Sequence, residues 1–460
     1  MNFHTYFAGA AVVETCIVGT GDFGRSFLVQ SLRVPLMNAR VAIDVDAERA
    51  AQAVRSAGVP DDAVAICRTW TEAEAAWAAG KYIAAGDIET VLGLPFAVVV
   101  EATGHPEAGA RHARLAIEAG KHVVMVSKEA DSVVGPGLAL LARQKGVVVT
   151  PVDGDQPSLL ISLVTWAELL GFEIVAAGKS SEYDFVHDPA AGTLTSNGVT
   201  VAAPGLAGLE RLLDADAGEV GAARSKAAAG FGQHLVPDLC EMSLVANATQ
   251  LGFDRENFHA PIARIDEVPS FLSTQADGGL LERSGSLDVF HCLRGPDEVS
   301  FAGGVFVVVR CEDEPSWELL RSKGHVVSRT GATAMIYNPR HLLGLEAATC
   351  VLAASIHGVS QGMAEPAHRV DLVACADIDL PAGTLLTAGG HHHQIEGVSG
   401  AVVPARPLAP NAPAPFYLVA NRRLVRPVEK GQMIVLDDVE IDDGSELLAL
   451  RRMQDVHFFG

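Results

Sequence analysis

Four places in the chain hold residues whose types and spacing suit chemistry on a polar substrate. Val126-Ser127-Lys128-Glu129-Ala130-Asp131 sets a lysine beside a carboxylate. Lys128 can polarise a substrate oxygen or share its proton, as hydride transfer between an alcohol and a carbonyl requires. Thr150-Pro151-Val152-Asp153-Gly154-Asp155-Gln156-Pro157 presents two carboxylates on a glycine-containing turn, a pair able to hold a hard divalent cation through oxygen ligands. The same aspartates suit helix capping, Asp155 ahead of a helix that starts near Pro157. A cation would need a third carboxylate, for which Glu241 in PDLCEMSLVANAT is the candidate. Lys179, after EIVAAG and three residues before Glu182, is a second cation at a strand end, suited equally to an anionic substrate or to a solvated turn.

A glycine-rich turn gives this chemistry a partner. Gly19-Thr20-Gly21-Asp22-Phe23-Gly24 follows the apolar run ETCIV and opens a helical pattern, and Asp44 comes twenty residues after Gly24, at the end of the next apolar run. That is the context of a dinucleotide-binding turn. Gly19 permits the tight turn, Gly21 lets backbone approach a pyrophosphate, and Gly24 allows close strand and helix packing. The helix N-terminus, with Asp22 and Phe23 in its first turn, favours the anion. Asp44 and Asp46 supply acceptors for ribose hydroxyls, which favours NAD over NADP. Thr103 and Gly104, at the end of the strand in Glu101-Ala102-Thr103-Gly104, extend the cofactor edge.

The elements that must position these residues follow from the pattern. Residues 14–150 alternate β-branched apolar runs (ETCIVG, ARVAIDV, FAVVVEAT, KHVVMVS, GVVVTPV) with amphipathic stretches at 25–33, 47–57 and 107–119, the rhythm of βαβ units around a parallel sheet. The fold class expected is α/β, in three parts. They are a dinucleotide-binding Rossmann domain over 1–152, an α+β catalytic and dimerisation domain over 153–368, and a small β-rich domain over 369–460, where LPAGTLL, a proline-rich stretch and VEKGQMIVLDDVEI replace the helical patterns. The His391-His392-His393 triplet after two glycines reads as a loop, because adjacent residues on an extended chain point alternately and rarely chelate one ion.

Composition narrows the classes. With 460 residues, 49% of them hydrophobic, the chain can bury more than one core. Its 34 basic and 56 acidic residues, net −22, repel phosphate backbones and anionic membranes alike, so neither nucleic acid nor membrane is an expected partner. Seven cysteines without a C-x-x-C pair read as free thiols of a reducing compartment, and with no signal-peptide pattern the expected location is cytoplasmic.

The strings VEATGHPEAGARHARLAIEAGKHVVMVSKEAD, VDGDQPSLL, FEIVAAGK and CEMSLVANAT resemble the homoserine-dehydrogenase-like oxidoreductases that include deoxyxylulose-phosphate reductoisomerase-like enzymes. DIDLPAGTLLTAG and VRPVEKGQMIVLDDVEI resemble the SAF module of sugar-acid dehydratases. The resemblance implies a lysine and glutamate pair at Lys128 and Glu129. It also implies magnesium or manganese held by Asp153, Asp155 and Glu241, and a homodimer through the central domain. The chain departs from the reductoisomerase pattern at Ser127, where that family has asparagine, and at Asp155, where it has glutamate.

Three functional readings result. The first is an NAD(P)-dependent oxidoreductase acting on a small polyhydroxylated carbonyl or acid, with catalytic Lys128, Glu129 and Lys179 and hydride transfer coupled to a skeletal rearrangement. The second is a metal-independent alcohol dehydrogenase resembling homoserine dehydrogenase, with Asp155, Lys179 and Glu241 on the substrate. The third is a nicotinamide-responsive protein that senses a sugar acid.

Overall fold

The computed structural model describes residues 2–233, 235–389 and 393–460; His391 and His392 of the histidine triplet lie outside them. The chain divides into two compact units: Met1–Ser158 with Leu342–Ala388 and Pro404–Gly460, and Leu159–His341 with Gly389–Val403.

The first unit is built on a seven-stranded sheet in the order β3 (Val64–Cys67), β4 (Tyr82–Ala85), β2 (Met37–Ile43), β1 (Val13–Val18), β5 (Val98–Glu101), β6 (His122–Met125), β7 (Val149–Pro151). Every pairing in it is parallel. The central strands are continuous apolar runs because helices cover both faces; all four residues of β5 are buried. After the short α1 (Phe3–Tyr6), the connecting helices are α2 (Asp22–Ser31), α3 (Ala47–Ser56), α4 (Trp70–Ala78), α5 (Pro106–Glu118) and α6 (Lys128–Lys145). β3 and β4 add two strands to the five read from sequence.

The chain leaves β1 for β2 on one side and later fills the other side with β5. The strand order therefore reverses at β1, and a crevice opens at the carboxyl ends of β1 and β5, where open α/β sheets bind ligands.

Between Ser158 and Ala388 the chain runs through α7 (Gln156–Leu169), α8 (Ala217–Ala227), α9 (Val236–Ala248), α10 (Val268–Phe271), α11 (Glu314–Ser322) and α12 (Ala348–Leu352). The second unit contains a mixed sheet in the order β11 (Val199–Ala202), β10 (Thr193–Ser196), β9 (Phe185–Asp188), β14 (Ser286–Arg294), β8 (Ile174–Ser180), β15 (Val305–Arg310), β17 (Thr333–Asn338), β16 (Val326–Val327), with β12 (Gly252–Phe253) and β13 (Ile262–Ala263) against β14. β8 runs parallel to β14 and antiparallel to β15. Its core gathers Val175, Phe271, Phe290 and Phe306.

The C-terminal residues carry the β-rich character read from sequence, in a small four-stranded sheet and in the antiparallel pair β22 (Arg423–Leu424) and β23 (Val439–Glu440). Residues 404–460, with α13 (Phe416–Val419), belong to the first unit, and α14 (Glu446–Phe459) is fastened to α5 and α6. Gln454 accepts the Gly137 N–H at 2.8 Å, and buried Arg451 forms a two-pronged ion pair with Asp371 at 2.7 and 2.9 Å. Glu107 on α5 accepts backbone N–H groups of Glu446 and Leu447, so a side chain of one helix caps the start of the other. Among the described residues no helix is long and apolar enough to cross a membrane. All seven cysteines are free thiols, five of them buried.

Candidate active site

The glycine turn lies at the switch point, between β1 and α2. Gly19 has φ +93°, a left-handed backbone open to glycine, and a Cβ there would come within 2.5 Å of the Ala102 carbonyl oxygen. A Cβ on Gly24 would overlap the Gly19 carbonyl oxygen. Gly21 differs from both: a Cβ there would meet nothing within 4 Å. The outer glycines are closed by the protein's own backbone, and the middle one faces open space. Gly21 is also the N-cap of α2 and brings no side chain to the first N–H groups of the helix, the arrangement of an anion site. Asp22 is exposed and pairs with Arg25 at 2.5 Å, and the Phe23 carbonyl accepts the Ser26 hydroxyl at 2.8 Å.

Asp44 follows β2 at the same edge. Its Oδ2 accepts the Thr20 N–H at 3.0 Å and the Thr20 hydroxyl, with Arg49 Nε 3.8 Å away. Asp46 is committed elsewhere, capping α3 through the Glu48 N–H at 3.0 Å. Across the crevice, buried Glu101 accepts the Thr103 hydroxyl at 2.6 Å and its N–H at 3.3 Å, which fixes the turn after β5. Gly104 donates its N–H to the Ser127 hydroxyl at 2.8 Å. Ser127 thus ties the β5 and β6 ends together. These residues fit a dinucleotide, with an anion subsite at Gly21 and a carboxylate at the ribose position.

Lys128 is the first residue of α6, where the helix dipole disfavours a cation, and Asp155 compensates at 3.2 Å. Burial pushes the neighbouring Glu129 carboxyl up to about 7; Lys128 opposes the rise, and Glu101 and Asp155 add to it. A carboxyl titrating there is poised for proton transfer. Burial raises Asp131 to about 7 as well.

Asp153 is buried, and its carboxylate accepts the hydroxyls of Ser158 and Thr349. In the second unit Lys179, near the end of β8, is 1% exposed and pairs with Asp238 at 2.8 Å and with Glu241. Ser181 donates its hydroxyl to the other Asp238 oxygen at 2.8 Å.

The structure therefore brings Lys128 together with Glu129 and Asp155, and Lys179 with Glu241. Among the described residues no group of three or more His, Cys, Asp or Glu side chains is placed to hold a metal ion. Hydroxyls of Ser158 and Thr349 engage Asp153, Lys128 pairs with Asp155, and in the second unit Lys179 pairs with Glu241. Sequence reading missed Asp238, although its spacing of three from Glu241 puts both acids on one face of α9. It also missed Thr349, which lies 196 residues from Asp153 and has no local signal.

Residues 42–150 match the family model of the homoserine dehydrogenase NAD binding domain, and residues 236–347 match that of the catalytic domain of oxidoreductase DRL. The chain carries the domains of an NAD(P)-dependent oxidoreductase. The first match begins after the glycine turn, and the second includes Asp238 and Glu241. No curated protein matches the chain.

Solved structures similar to it include KijD10, a 3-ketoreductase from Actinomadura kijaniata in complex with NADP, at 15% identity over 39% of this chain and 49% of that one, TM-score 0.27. An oxidoreductase from Agrobacterium radiobacter in complex with NAD+, L-tartaric acid and magnesium is 13% identical over 39% and 46%, TM-score 0.28. A DOX-P reductoisomerase in complex with NADPH, fosmidomycin and magnesium is 16% identical over 39% and 48%, TM-score 0.28. The chain spans about half the length of each.

Proposed function

We propose that the protein is an NAD(P)-dependent oxidoreductase that acts on a small polyhydroxylated carbonyl or acid. The observation that carries the proposal is the open space over Gly21 at the N-terminus of α2, in a turn whose other two glycines are closed by backbone. Asp44 favours NAD, because a carboxylate suits a ribose hydroxyl and repels a 2′-phosphate. A bound nicotinamide supplies or accepts the hydride. Lys128 then polarises the reacting oxygen, Asp155 orients Lys128, and Glu129 exchanges the proton. In the second unit Lys179, ordered by Asp238 and Glu241, is a candidate cation for a polar substrate group in its own right.

The Lys128–Asp155 pair, an ammonium already beside the carboxylate, favours the metal-independent form of the reaction over the magnesium or manganese form with its skeletal rearrangement. A screen of sugar acids, ketoses and their phosphates with NAD(H) and NADP(H), in chelator and in magnesium or manganese, tests this. The expected result is stoichiometric nicotinamide turnover that survives chelation. Cofactor binding without turnover of any substrate would favour the sensing protein instead, and strict dependence on added cation would restore the metal reading.

An apolar groove of about 510 Å³ on the second unit, walled by Trp166, Leu170, Phe172 and Trp317, supports a homodimer formed through that unit, because large exposed apolar patches mark interaction surfaces. Sedimentation of a Trp166→Glu, Leu170→Glu variant as monomer and of the parent as dimer is the expected outcome.

A further inference from the structure

Residues 342–350, where the chain re-enters the first unit, touch both parts of the machinery there. On one side Gly344 lies against α2. A Cβ on it would overlap the Ser26 hydroxyl and come within 3.1 Å of the Phe23 carbonyl oxygen and the Phe27 nitrogen. On the other side the Leu343 N–H donates to the Gly154 carbonyl at 3.0 Å, and a Cβ on Gly154, at φ +91°, would overlap the Leu343 carbonyl oxygen.

Leu343 has φ +50°, a conformation that a leucine keeps only where its surroundings enforce it. Further along, Thr349 donates its hydroxyl to Asp153, and Cys350 Sγ accepts the Asp153 N–H at 3.2 Å. Ala347, Cys350 and Val351 belong to the same apolar core as Phe27 and Val152. One short segment thus holds α2 by its second turn and the 153–155 turn by three separate contacts, with no room for a side chain at either glycine.

We propose that Gly344 and Thr349 are positioning residues. Residues 342–350 couple α2 to the 153–155 turn, and through Asp155 to Lys128, so that the order of the cofactor helix and the order of the catalytic lysine depend on each other. The functional meaning of this coupling rests on the reading of α2 as the cofactor helix and of Lys128 as catalytic; the coupling itself does not.

The test uses the full chain, with hydrogen exchange read peptide by peptide and NADH affinity read by fluorescence. Thr349→Val removes one hydrogen bond on the Asp153 side and should speed exchange about fivefold in residues 152–158. If the segment couples, exchange should rise in residues 22–28 as well and NADH affinity should fall several-fold, while Thr349→Ser restores all three. Gly344→Ala works from the other side and should speed exchange in residues 152–158. A Thr349→Val chain that loosens only residues 152–158, with α2 and NADH affinity as in the parent, would make Thr349 a local anchor and overturn the proposal. So would a Thr349→Val chain indistinguishable from the parent. If the parent binds neither NADH nor NADPH, the cofactor reading fails, and the exchange measurements alone still decide the coupling.

Discussion

Gly21→Ala separates binding from stability more cleanly than any other change in the glycine turn. The added methyl meets nothing within 4 Å, and Gly21 sits at φ −67°, so the folded chain accepts it without strain. Alanine is a poorer N-cap than glycine by about 1 kcal/mol, and the loss of glycine's freedom in the unfolded chain returns about 0.4–1 kcal/mol. The net change in stability is close to zero, a shift in melting temperature within about 2–4 °C.

In the bound state the same methyl occupies space that the pyrophosphate needs, and it holds the phosphates off the N–H groups of α2. Two charge-assisted hydrogen bonds lost at about 1.5 kcal/mol each weaken binding by about 3 kcal/mol, roughly a hundredfold. Titration calorimetry with NADH beside a thermal melt reads both quantities. Gly19→Ala is the contrast, since its methyl meets the Ala102 carbonyl oxygen at 2.5 Å in a left-handed backbone, and it should lower stability as well as affinity. NADH affinity unchanged in Gly21→Ala would refute the placement of the dinucleotide over this turn.

Lys128→Ala should lower kcat about a hundredfold or more and leave NADH affinity within a few-fold, as loss of an electrostatic catalyst does; unaltered kcat would remove Lys128 from the chemistry. Asp44→Ala should weaken NADH more than NADPH, by about tenfold in the ratio of their dissociation constants, and an unchanged ratio would deny Asp44 the ribose position. Glu129 and Asp131 have folded-state values raised to about 7 from the ordinary carboxyl range. As pH rises the unfolded chain loses these protons first, so the stability they contribute is present in acid and is lost as pH climbs through about 7. Glu129→Gln and Asp131→Asn should therefore each stabilise the fold by about 1–3 kcal/mol near pH 8 and little near pH 3.5, read by urea melts. A gap equal at both pH values would contradict the burial of these carboxyls.

Local features carried most of the first unit in the sequence. The spacing of Gly19, Gly21 and Gly24 after a β-branched run, with Asp44 ending the next, specifies a strand, turn and helix that short-range sterics alone enforce. Strands β3 and β4 escaped because VAIC and YIAA break their β-branched residues with alanine, a poor strand former, whereas β5 and β6 carry consecutive valines. The pairing of Lys128 with Asp155 and the capping of α14 by Glu107 join residues far apart in the chain, and no local pattern encodes them. Asp153, Asp155 and Glu241 are legible as carboxylates by type, but their partners are not. The structure supplies each with a hydroxyl or lysine partner that the sequence does not reveal. The 369–460 segment reads as β-rich because of its short runs and turns, and it does hold a small four-stranded sheet and a strand pair; the reading left out α14, which buries Leu447, Leu448 and Leu450.

A crystal structure of the chain grown with NADH tests directly whether the glycine turn binds the dinucleotide. The pyrophosphate is expected over Gly21 at the N-terminus of α2, with a ribose hydroxyl on the Asp44 carboxylate. A dinucleotide bound anywhere else, or none bound at saturating NADH or NADPH, would contradict this placement.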